Sequence, residues 1–406
     1  MSEAAKVGIV VPFSWSFRGG VVEHARRQAE TLLAHRVDAR LLIGYDPPDA
    51  VTRLIHSRRA REDALPPYAI PLGRSVPVPA NGSRACIVLA PTAIRDLRRT
   101  LERESFDIVH VHDPYAPLLS VLAVATASCP VVITCHASDS ARLYPFGRLL
   151  FKPILSRIDY RLAVSEEARA SAEPYLGQPF EVIPNGVGLP MRATPDGRLH
   201  QVLFVGRNDT RKGLDVLLRA WPRVRAKTGA RLRLVGVEPA EARRLLRRLG
   251  AVGDGVEAVG PVSDSDLHAE LSSAKILAAP SIGRESFGMV LAEAFACATP
   301  VVASQIRGYA EVVLPGTGTL VPPGNPEALA TGLIELLENE QLRQALGRSA
   351  RVAAESRYAW SAVVGRLVEI YDSLLVMREG GHAGHVASSH HGAKRAPLRF
   401  HPDERT

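Results

Sequence analysis

Short apolar runs rich in β-branched residues alternate with amphipathic helical patterns along most of the 406-residue chain. The predicted strands cover residues 7–11, 39–43, 107–112, 131–134, 161–164, 181–183, 201–205, 231–235, 256–259, 276–279 and 301–303. Helical patterns lie between many of them, over residues 21–34, 166–174, 214–225 and 239–248. Such alternation predicts an α/β protein whose parallel sheets are covered by helices on both faces.

The strand–helix series runs twice. The first series ends near residues 183–187, a linker containing Gly and Pro covers 188–198, and the second series begins at Gln201. We expect two doubly wound, Rossmann-like domains, 1–187 and 198–357, facing across a cleft with ligands at the carboxyl ends of their strands. A final helix is predicted over 358–376, and the polar segment 378–406 is predicted to be a disordered tail.

Charge narrows the choice of partners. The net charge is +8, and nearly all of the excess comes from arginine. This balance suits nucleotide phosphates, anionic lipids or nucleic acid. No basic stripe interleaved with aromatic residues and no nucleic-acid motif is found, so we expect no nucleic-acid partner.

The cysteines and the apolar segments bear on location. The four cysteines show no CxxC spacing, which favours a reduced, cytoplasmic chain with buried thiols. The first residues lack the features of a signal peptide. Residues 114–138 are uncharged and nearly long enough to span a bilayer, but Pro130 divides them. We therefore predict a buried helix over 116–128 and a buried strand over 131–134, and no transmembrane span.

Two glutamates, Glu285 and Glu293, lie eight residues apart at the start of an apolar helical pattern over 287–298. Eight residues is just over two helical turns, so the pattern predicts both carboxylates on nearly the same helix face, with Glu285 at the helix start. Exposed backbone N–H groups at a helix start suit a phosphate, and carboxylates accept hydrogen bonds from sugar hydroxyls. The spacing therefore predicts a nucleotide-sugar site.

A basic loop occupies residues 206–213, between a predicted strand and a predicted helix. Arg207, Arg211 and Lys212 at the carboxyl end of a strand could neutralise a departing diphosphate without a metal ion. A solvated loop is the alternative, but the position at a strand end favours function. Gly19 and Gly20 stand at the corresponding place in the first half, and they do not form a GxGxxG fingerprint.

Histidines follow two of the predicted strands. His136 comes just after the strand 131–134 and is predicted to point into the cleft, and Asp113 is a similar strand-end candidate. A structural role is the alternative for a single histidine. His110 and His112 are expected to face opposite sides of their strand and so to make a poor metal site.

A basic amphipathic helix is predicted over residues 94–101. Its cations Arg95, Arg98 and Arg99 could lie on an anionic membrane surface. An exposed helix that covers the sheet fits the pattern equally well.

Taken together, these motifs resemble the retaining glycosyltransferases of family four, which have the GT-B fold. Within that family the chain is most similar to the actinobacterial phosphatidylinositol α-mannosyltransferases, over roughly residues 6–375. The motifs are Gly19-Gly20-Val21 with His24, the segments 76–83, 106–114, 163–166 and 183–187, Gly206-Arg207, Arg211-Lys212-Gly213, Glu285-Ser286-Phe287-Gly288 with Glu293, and 318–322.

The resemblance implies a role for each matching residue. Arg207 and Lys212 grip the donor diphosphate, Glu293 binds the ribose, and Glu285 binds the transferred sugar. The other implied donor contacts are His136 at the sugar, Gly20 near the phosphates, and Ser286, Phe287 and Gly288 at the helix start. The family uses no metal cofactor, and in relatives the last helix crosses back to the first domain.

The acceptor side departs from the inositol-lipid enzymes. Their first loop resembles Pro-Tyr-Ser-Phe-Asp, whereas this chain has Pro12-Phe13-Ser14-Trp15-Ser16, and Cys86 stands where an arginine is expected. The acceptor-binding candidates are Phe13, Asn81, Gly82, Ser83 and Arg84.

The expected function is transfer of a hexose, mannose from GDP-mannose being favoured, to a hydroxyl acceptor such as a phosphatidylinositol-type lipid. The enzyme would be cytoplasmic or peripheral on the inner face of the cell membrane. One alternative is a UDP-sugar transferase acting on a soluble inositol phosphate or glycan. Others are a catalytically silent nucleotide-sugar-binding relative and, less well supported because GxGxxG is absent, a nicotinamide oxidoreductase.

Overall fold

The structure is a computed structural model. It describes residues 5–17, 19–56, 60, 64–80, 83–114, 116–136, 154–177, 179–191, 197–250, 253–283, 285 and 287–383, with backbone alone at 79–80, 83–84, 264 and 379–383. The chain forms two compact units. Unit 1 comprises Met1–Gly186 and Val363–Thr406, and unit 2 comprises Val187–Ala362. The predicted tail beyond residue 383 lies outside the described residues.

Unit 1 is built on a mostly parallel sheet. Its strands are β1 (Lys6–Ser14), β2 (Asp38–Gly44), β3 (Ala69–Pro71), β4 (Ser75–Ala80), β5 (Ser83–Val88), β6 (Ile108–His112), β7 (Val131–Cys135), β8 (Tyr160–Ala163) and β9 (Glu181–Val182). The parallel strands follow the order β3-β2-β1-β6-β7-β8-β9. Every residue of β6 and β7 is buried, as expected for central strands covered on both faces.

Helices cover both faces of this sheet. They are α1 (Gly20–Ala34), α2 (Ala50–Ile55), α3 (Pro91–Glu104), α4 (Leu119–Thr126), α5 (Glu166–Leu176) and, from Val363 onward, the last helix, α13 (Trp360–Ala383). The uncharged segment 114–138 contains α4 and β7, as predicted. Among the described helices, none combines the length and the apolar character that crossing a bilayer requires.

Unit 1 also contains an antiparallel hairpin that the sequence pattern does not predict. Strands β4 and β5 pair from Ser75↔Val88 to Ala80↔Ser83, and β5 meets β1 at Phe13↔Ile87. Pro77 and Pro79 weaken the strand signal in β4, since proline cannot donate to a ladder and is confined to edge strands.

Unit 2 contains a fully parallel sheet. Its strands are β10 (Leu199–Val205), β11 (Arg231–Val235), β12 (Val256–Gly260), β13 (Ala274–Ala279), β14 (Val301–Ser304) and β15 (Gly318–Val321), in the order β12-β11-β10-β13-β14-β15. Side chains alternate between two apolar cores. Val202 and Phe204 belong to one core and Leu203 to the other, because successive residues of a strand face opposite sides.

The helices of unit 2 complete a doubly wound α/β arrangement. They are α6 (Leu214–Thr228), α7 (Pro239–Leu249), α8 (Asp264–Ser273), α9 (Met289–Ala296), α10 (Arg307–Val312), α11 (Pro326–Glu338) and α12 (Glu340–Ala353), with a 3₁₀ turn at Thr210–Lys212 and a π-helical turn at Ala354–Tyr358. The predicted fold class, α/β with two doubly wound units, is confirmed.

The helix predicted over 287–298 begins later than expected. Helix α9 starts at Met289, and its N-cap Gly288 has φ +81°, a left-handed conformation that interrupts the helix. A Cβ at Gly288 would lie 2.5 Å from the ring of Tyr309, so the close packing there also requires glycine. Glu285 therefore precedes the helix, and the prediction that it shares a helix face with Glu293 is wrong.

The last helix is fixed to unit 1 by a buried polar network. The hydroxyl of Tyr371 lies 2.6 Å from Nδ1 of His110, and Nε2 of Gln28 lies 3.2 Å from the same hydroxyl. Nε2 of His110 lies 2.7 Å from Oγ1 of Thr134. Because an amide nitrogen can only donate, the tyrosine hydroxyl accepts from Gln28 and donates to His110. This leaves the Nε2–H of His110 to donate to Thr134.

We expect the substitution Tyr371→Phe to lower the free energy of unfolding by about 1–3 kcal/mol, because it leaves buried partners unsatisfied. Urea denaturation would measure the change. Tyr175→Phe is the matched control, since the half-buried Tyr175 packs on the same unit without a hydroxyl contact to a described residue. Equal stability of the two variants would show that the network contributes nothing.

Candidate active site

The sheet of unit 2 has a topological switch point between β10 and β13. The chain runs outward to β11 and β12 on one side and to β14 and β15 on the other. The loops that follow β10 and β13 therefore diverge at the carboxyl edge, where open α/β sheets bind their ligands. These loops carry the basic residues 207–212 and Glu285.

The two loops touch. Gly213, with φ +66°, passes so close to the other loop that a Cβ there would lie 2.0 Å from the carbonyl oxygen of Pro280. The backbone N–H of Ile282 donates to the carbonyl of Arg211 at 2.8 Å. Glycine is therefore required at position 213 both for its backbone conformation and for the close approach.

This contact brings Lys212 and Glu285 together. Nζ of Lys212 lies 2.6 Å from Oε1 of Glu285, with side-chain exposures of 27% and 15%. The stem of Lys212 passes Gly206, where a Cβ would lie 3.7 Å from its Cδ. The two residues thus form a partly buried ion pair at the switch point, beside Gly206 and Arg207.

The three predicted cations differ in their availability. The guanidinium of Arg211 is paired with Asp209 at 2.5 Å, and this bond lowers the pKa of Asp209 to about 2. Arg207 is exposed and forms no ion pair with the described part of the chain. Within the described part of the chain, Arg207 is therefore unpaired, whereas Arg211 is held by Asp209 and Lys212 by Glu285.

The start of α9 adds backbone donors to this edge. The N-cap Gly288 supplies no side-chain cap, so N–H groups of the first turn remain for water or a ligand. Phe287 is buried, and its ring packs edge-on against Tyr358 at 5.8 Å. Glu293 lies half-buried in α9 between the buried Ala292 and Ala294, and Ser286 lies outside the described residues.

Unit 1 gathers three imidazoles from its own central elements. His24 lies in α1, His112 ends β6, and His136 follows β7, with ring centroids 4.7–5.5 Å apart. Nδ1 of His112 lies 2.8 Å from Nε2 of His136. Burial lowers the pKa of His24 to about 4 and holds those of His112 and His136 well below the ordinary value. The three rings are therefore neutral at physiological pH, and their arrangement would also permit a metal ion.

The prediction that His110 and His112 face opposite sides of their strand is wrong. Their rings stack at 4.8 Å with an interplanar angle of 6°. Side chains alternate along a strand, so residues i and i+2 share a face. His110 and His112 therefore lie on the same face of β6.

Asp113 holds the backbone of His136, one of the three clustered histidines. Its carboxylate accepts the backbone N–H of His136 at 3.0 Å, and its φ of +44° is one that aspartate tolerates. Burial raises the pKa of Asp113 from 3.8 to about 6. Strand-end position identified Asp113 and His136. His24 entered only through the Gly-Gly-Val motif, although its place one turn after Gly20 could have indicated it.

Of the remaining predicted residues of unit 1, the structure describes Gly20 and Phe13 in full. Gly20 opens α1, and no described atom lies within 4 Å of where its Cβ would be, so the backbone there has room for a ligand. Phe13 is half-buried in β1. Asn81 and Gly82 lie outside the described residues, as do the side chains of Ser83 and Arg84.

The predicted basic helix exists as α3, longer than the pattern indicated. Its buried residues Ala93, Leu97 and Thr100 face the core, and Arg95, Arg98 and Arg99 are exposed. The helix therefore covers the sheet while presenting its cations to the surroundings.

Comparison with known proteins identifies the class. A profile described as Glycosyltransferase Family 4 matches residues 18–189, and one described as Glycosyl transferases group 1 matches residues 200–339. The phosphatidyl-myo-inositol mannosyltransferase of Mycobacterium leprae is 35% identical over 381 residues, 91% of this chain and 97% of that protein. The corresponding protein of Propionibacterium freudenreichii is 32% identical over 409 residues, 98% of this chain and all of that protein. The chain belongs to glycosyltransferase family 4 and is a glycosyltransferase.

Solved structures agree on the fold. HepE from Anabaena in complex with UDP matches with a TM-score of 0.67 at 19% identity, over 91% of this chain and 100% of that chain. WaaG, described as a glycosyltransferase involved in lipopolysaccharide biosynthesis, matches with a TM-score of 0.61 at 18% identity, over 91% and 99%. At these identities the likeness shows the GT-B fold alone.

The raised pKa of Asp113 predicts a pH-dependent cost. A carboxyl group whose folded pKa exceeds its unfolded value loses stability as the pH rises, here from about 3.8 through about 6. Asp113→Asn keeps an oxygen for the N–H of His136 and removes the charge. We expect the stability of this variant relative to the unsubstituted protein to increase by up to about 3 kcal/mol across that window.

Urea denaturation at several pH values would measure the difference. A constant difference between the two proteins from roughly pH 4 to pH 7 would contradict the assignment. Asp38→Asn serves as a control, because Asp38 is a surface carboxylate paired with Arg40.

Proposed function

We propose that this glycosyltransferase moves a hexose from a nucleotide sugar, GDP-mannose, to a hydroxyl of a phosphatidylinositol-type acceptor, with retention of configuration and without a metal ion. The single observation that supports the donor half most strongly is the Lys212–Glu285 pair at the switch point of unit 2. The acceptor and the sugar are supported by the names of relatives, phosphatidyl-myo-inositol mannosyltransferases. One further relative, from Corynebacterium glutamicum, carries GDP-mannose in its name and is 28% identical over 317 residues.

The donor residues act on charge. As the sugar–phosphate bond breaks, negative charge builds up on the diphosphate. Lys212 and Arg207, with the N–H groups of α9, stabilise that charge more in the transition state than in the ground state. Glu285 neutralises Lys212 in the structure, so binding of the diphosphate shifts the lysine toward the anion and leaves the carboxylate for a sugar hydroxyl.

The acceptor hydroxyl attacks from the face that the diphosphate leaves, and a diphosphate oxygen takes its proton. Glu293 binds the ribose in this proposal, and the resemblance to the family gives His136 a contact to the transferred sugar. A neutral imidazole suits that contact, because it both donates and accepts hydrogen bonds.

A soluble acceptor is the second candidate, and it has its own observation. At position 86 the inositol-lipid enzymes are expected to have an arginine that faces the lipid phosphate. Here Cys86 is buried at 6% exposure, so this position offers no cation to a lipid. By contrast, the exposed Arg95, Arg98 and Arg99 on α3 support the lipid acceptor, because these cations suit an anionic membrane surface. Vesicles of phosphatidylinositol and free inositol phosphate, tested as acceptors side by side, distinguish the two.

A screen of donors tests the proposal directly. A ligand that binds only the folded state raises the melting temperature, so GDP-mannose is expected to raise it more than UDP-glucose or UDP-N-acetylglucosamine. Mannose transfer to phosphatidylinositol vesicles should follow, with the α-anomer as product. A failure of all three nucleotide sugars to bind would contradict the donor site, and a response to a UDP-sugar alone would replace the donor.

Lys212→Ala is expected to reduce turnover by about 10²-fold or more, as for the loss of one charge-stabilising donor. Glu285→Gln breaks the same ion pair from the other side. It should also lower turnover but leave the affinity for the nucleoside diphosphate unchanged or higher, because Lys212 is no longer neutralised. Single-turnover assays and calorimetric titration with GDP give the two quantities.

Lys227→Ala is the matched control for Lys212→Ala, because Lys227 forms an exposed ion pair with Glu338 at 3.7 Å. Near-normal turnover of the Lys212 variant would show that the diphosphate is held by other groups.

A further inference from the structure

Unit 1 contains a second buried cluster of reactive side chains, separate from the strand-end histidines. Asp46 follows β2, His56 follows α2, Ser75 opens β4, and Cys86 lies within β5. Asp46, His56 and Cys86 have residual exposures of 0%, 4% and 6%. The candidate active site described above does not include these four residues, so their arrangement requires its own explanation.

The tautomer of His56 follows from its neighbours. Its Nε2 lies 3.1 Å from the carbonyl oxygen of Ser75. A carbonyl can only accept, so Nε2 carries the proton. Nδ1 is then the unprotonated nitrogen, and it lies 3.7 Å from Sγ of Cys86. The thiol therefore donates to a nitrogen that can take its proton.

Asp46 completes the arrangement. Its Oδ1 lies 3.6 Å from Nε2 of His56, near enough to stabilise a positive charge on the imidazole. The carboxylate is fixed by the Ser75 hydroxyl at 2.6 Å and by the Ser75 backbone N–H at 3.1 Å. The ring of Phe17 packs on His56 with centroids 4.3 Å apart and limits its rotation. The thiol of Cys86, the imidazole of His56 and the carboxylate of Asp46 therefore lie next to one another in that order.

The other three cysteines lack one part each of this arrangement. Cys135 and Cys297 have an exposure of 0%. The thiol of Cys297 donates to the carbonyl of His268 at 3.8 Å, and a carbonyl cannot remove its proton. Cys129 is more accessible, but no imidazole in the described part of the chain is hydrogen-bonded to its thiol.

We propose that Cys86 is an oxidative modification site, at which a hydroperoxide converts the thiol to a sulfenic acid. The proton of Sγ moves to Nδ1 of His56 as sulfur attacks one peroxide oxygen. The O–O bond breaks, and the second oxygen leaves with the electron pair and takes the proton from His56, as water when the oxidant is hydrogen peroxide. Sulfur is oxidised by two electrons and the peroxide is reduced by two.

The limited exposure of Cys86 suits a small oxidant. Cys86 retains an exposure of 6%, and hydrogen peroxide is close to water in size. Susceptibility of a cysteine follows both thiolate character and exposure, and Cys86 has a base as well as residual exposure. Cys86 lies in β5, which pairs with β4.

Mass spectrometry tests the proposal without an activity assay. The full chain is treated with hydrogen peroxide and dimedone, which traps sulfenic acids, and labelling is followed at each cysteine. We expect Cys86 to be labelled at least about tenfold faster than the other three, as for a thiol with a positioned base. His56→Asn should slow labelling of Cys86 by a similar factor and leave Cys129 unchanged.

His200→Asn is the matched control, because His200 is exposed and its Nε2 bonds the carbonyl of Thr228. Labelling of Cys86 no faster than that of Cys135 or Cys297 in the unsubstituted protein overturns the proposal, and so does an unchanged rate in folded His56→Asn. If His56→Asn does not fold, the comparison of the four cysteines decides, with Cys86→Ala confirming which peptide is labelled. The readout is independent of sugar transfer, so failure here leaves the proposed function unaffected.

Discussion

A steric constraint between two loops fixes the candidate site of unit 2. The backbone of Gly213 lies against the carbonyl of Pro280, and only a residue without a side chain can occupy that place. The contact fixes the loop after β10 to the loop after β13, and it sets Lys212 against Glu285. Without it and the hydrogen bond from Ile282 to Arg211, the cation and the carboxylate would belong to two independently moving loops. In the proposed function, the long lysine side chain would then lose more entropy on binding a diphosphate.

The same principle of position operates in both units. In each, the sheet order reverses beside its first strand, and candidate side chains follow strands at or next to the reversal. Strand-end position alone identified Arg207, Lys212, His136 and Asp113 from the sequence. The rule applies because a parallel sheet brings the carboxyl ends of its strands to one edge, whatever the lengths of the connections.

The central strands could be predicted because they are buried on both faces and therefore read as continuous β-branched runs. The hairpin of β4 and β5 could not, since prolines mask its strand character and its pairing is set by contact with β1. The start of α9 was also misplaced. Apolar periodicity runs through Phe287 and Gly288, but the packing of Tyr309 against Gly288 is a tertiary contact that no local pattern contains. The pairing of Lys212 with Glu285 joins residues more than 70 positions apart, so no local pattern contains it either.

The buried imidazoles of unit 1 have a consequence for its behaviour in acid. The pKa of His24 is lowered to about 4 and that of His110 to about 3, both chiefly by burial, and those of His112 and His136 are lowered as well. A depressed folded pKa means that the stabilising effect of the neutral ring is complete above the unfolded value, near 6.5, and disappears as the pH falls through the folded value. Unfolding of this unit in mildly acidic solution is therefore coupled to the uptake of protons by these imidazoles. The buried rings gain their buffering capacity in this pH range only when the unit unfolds.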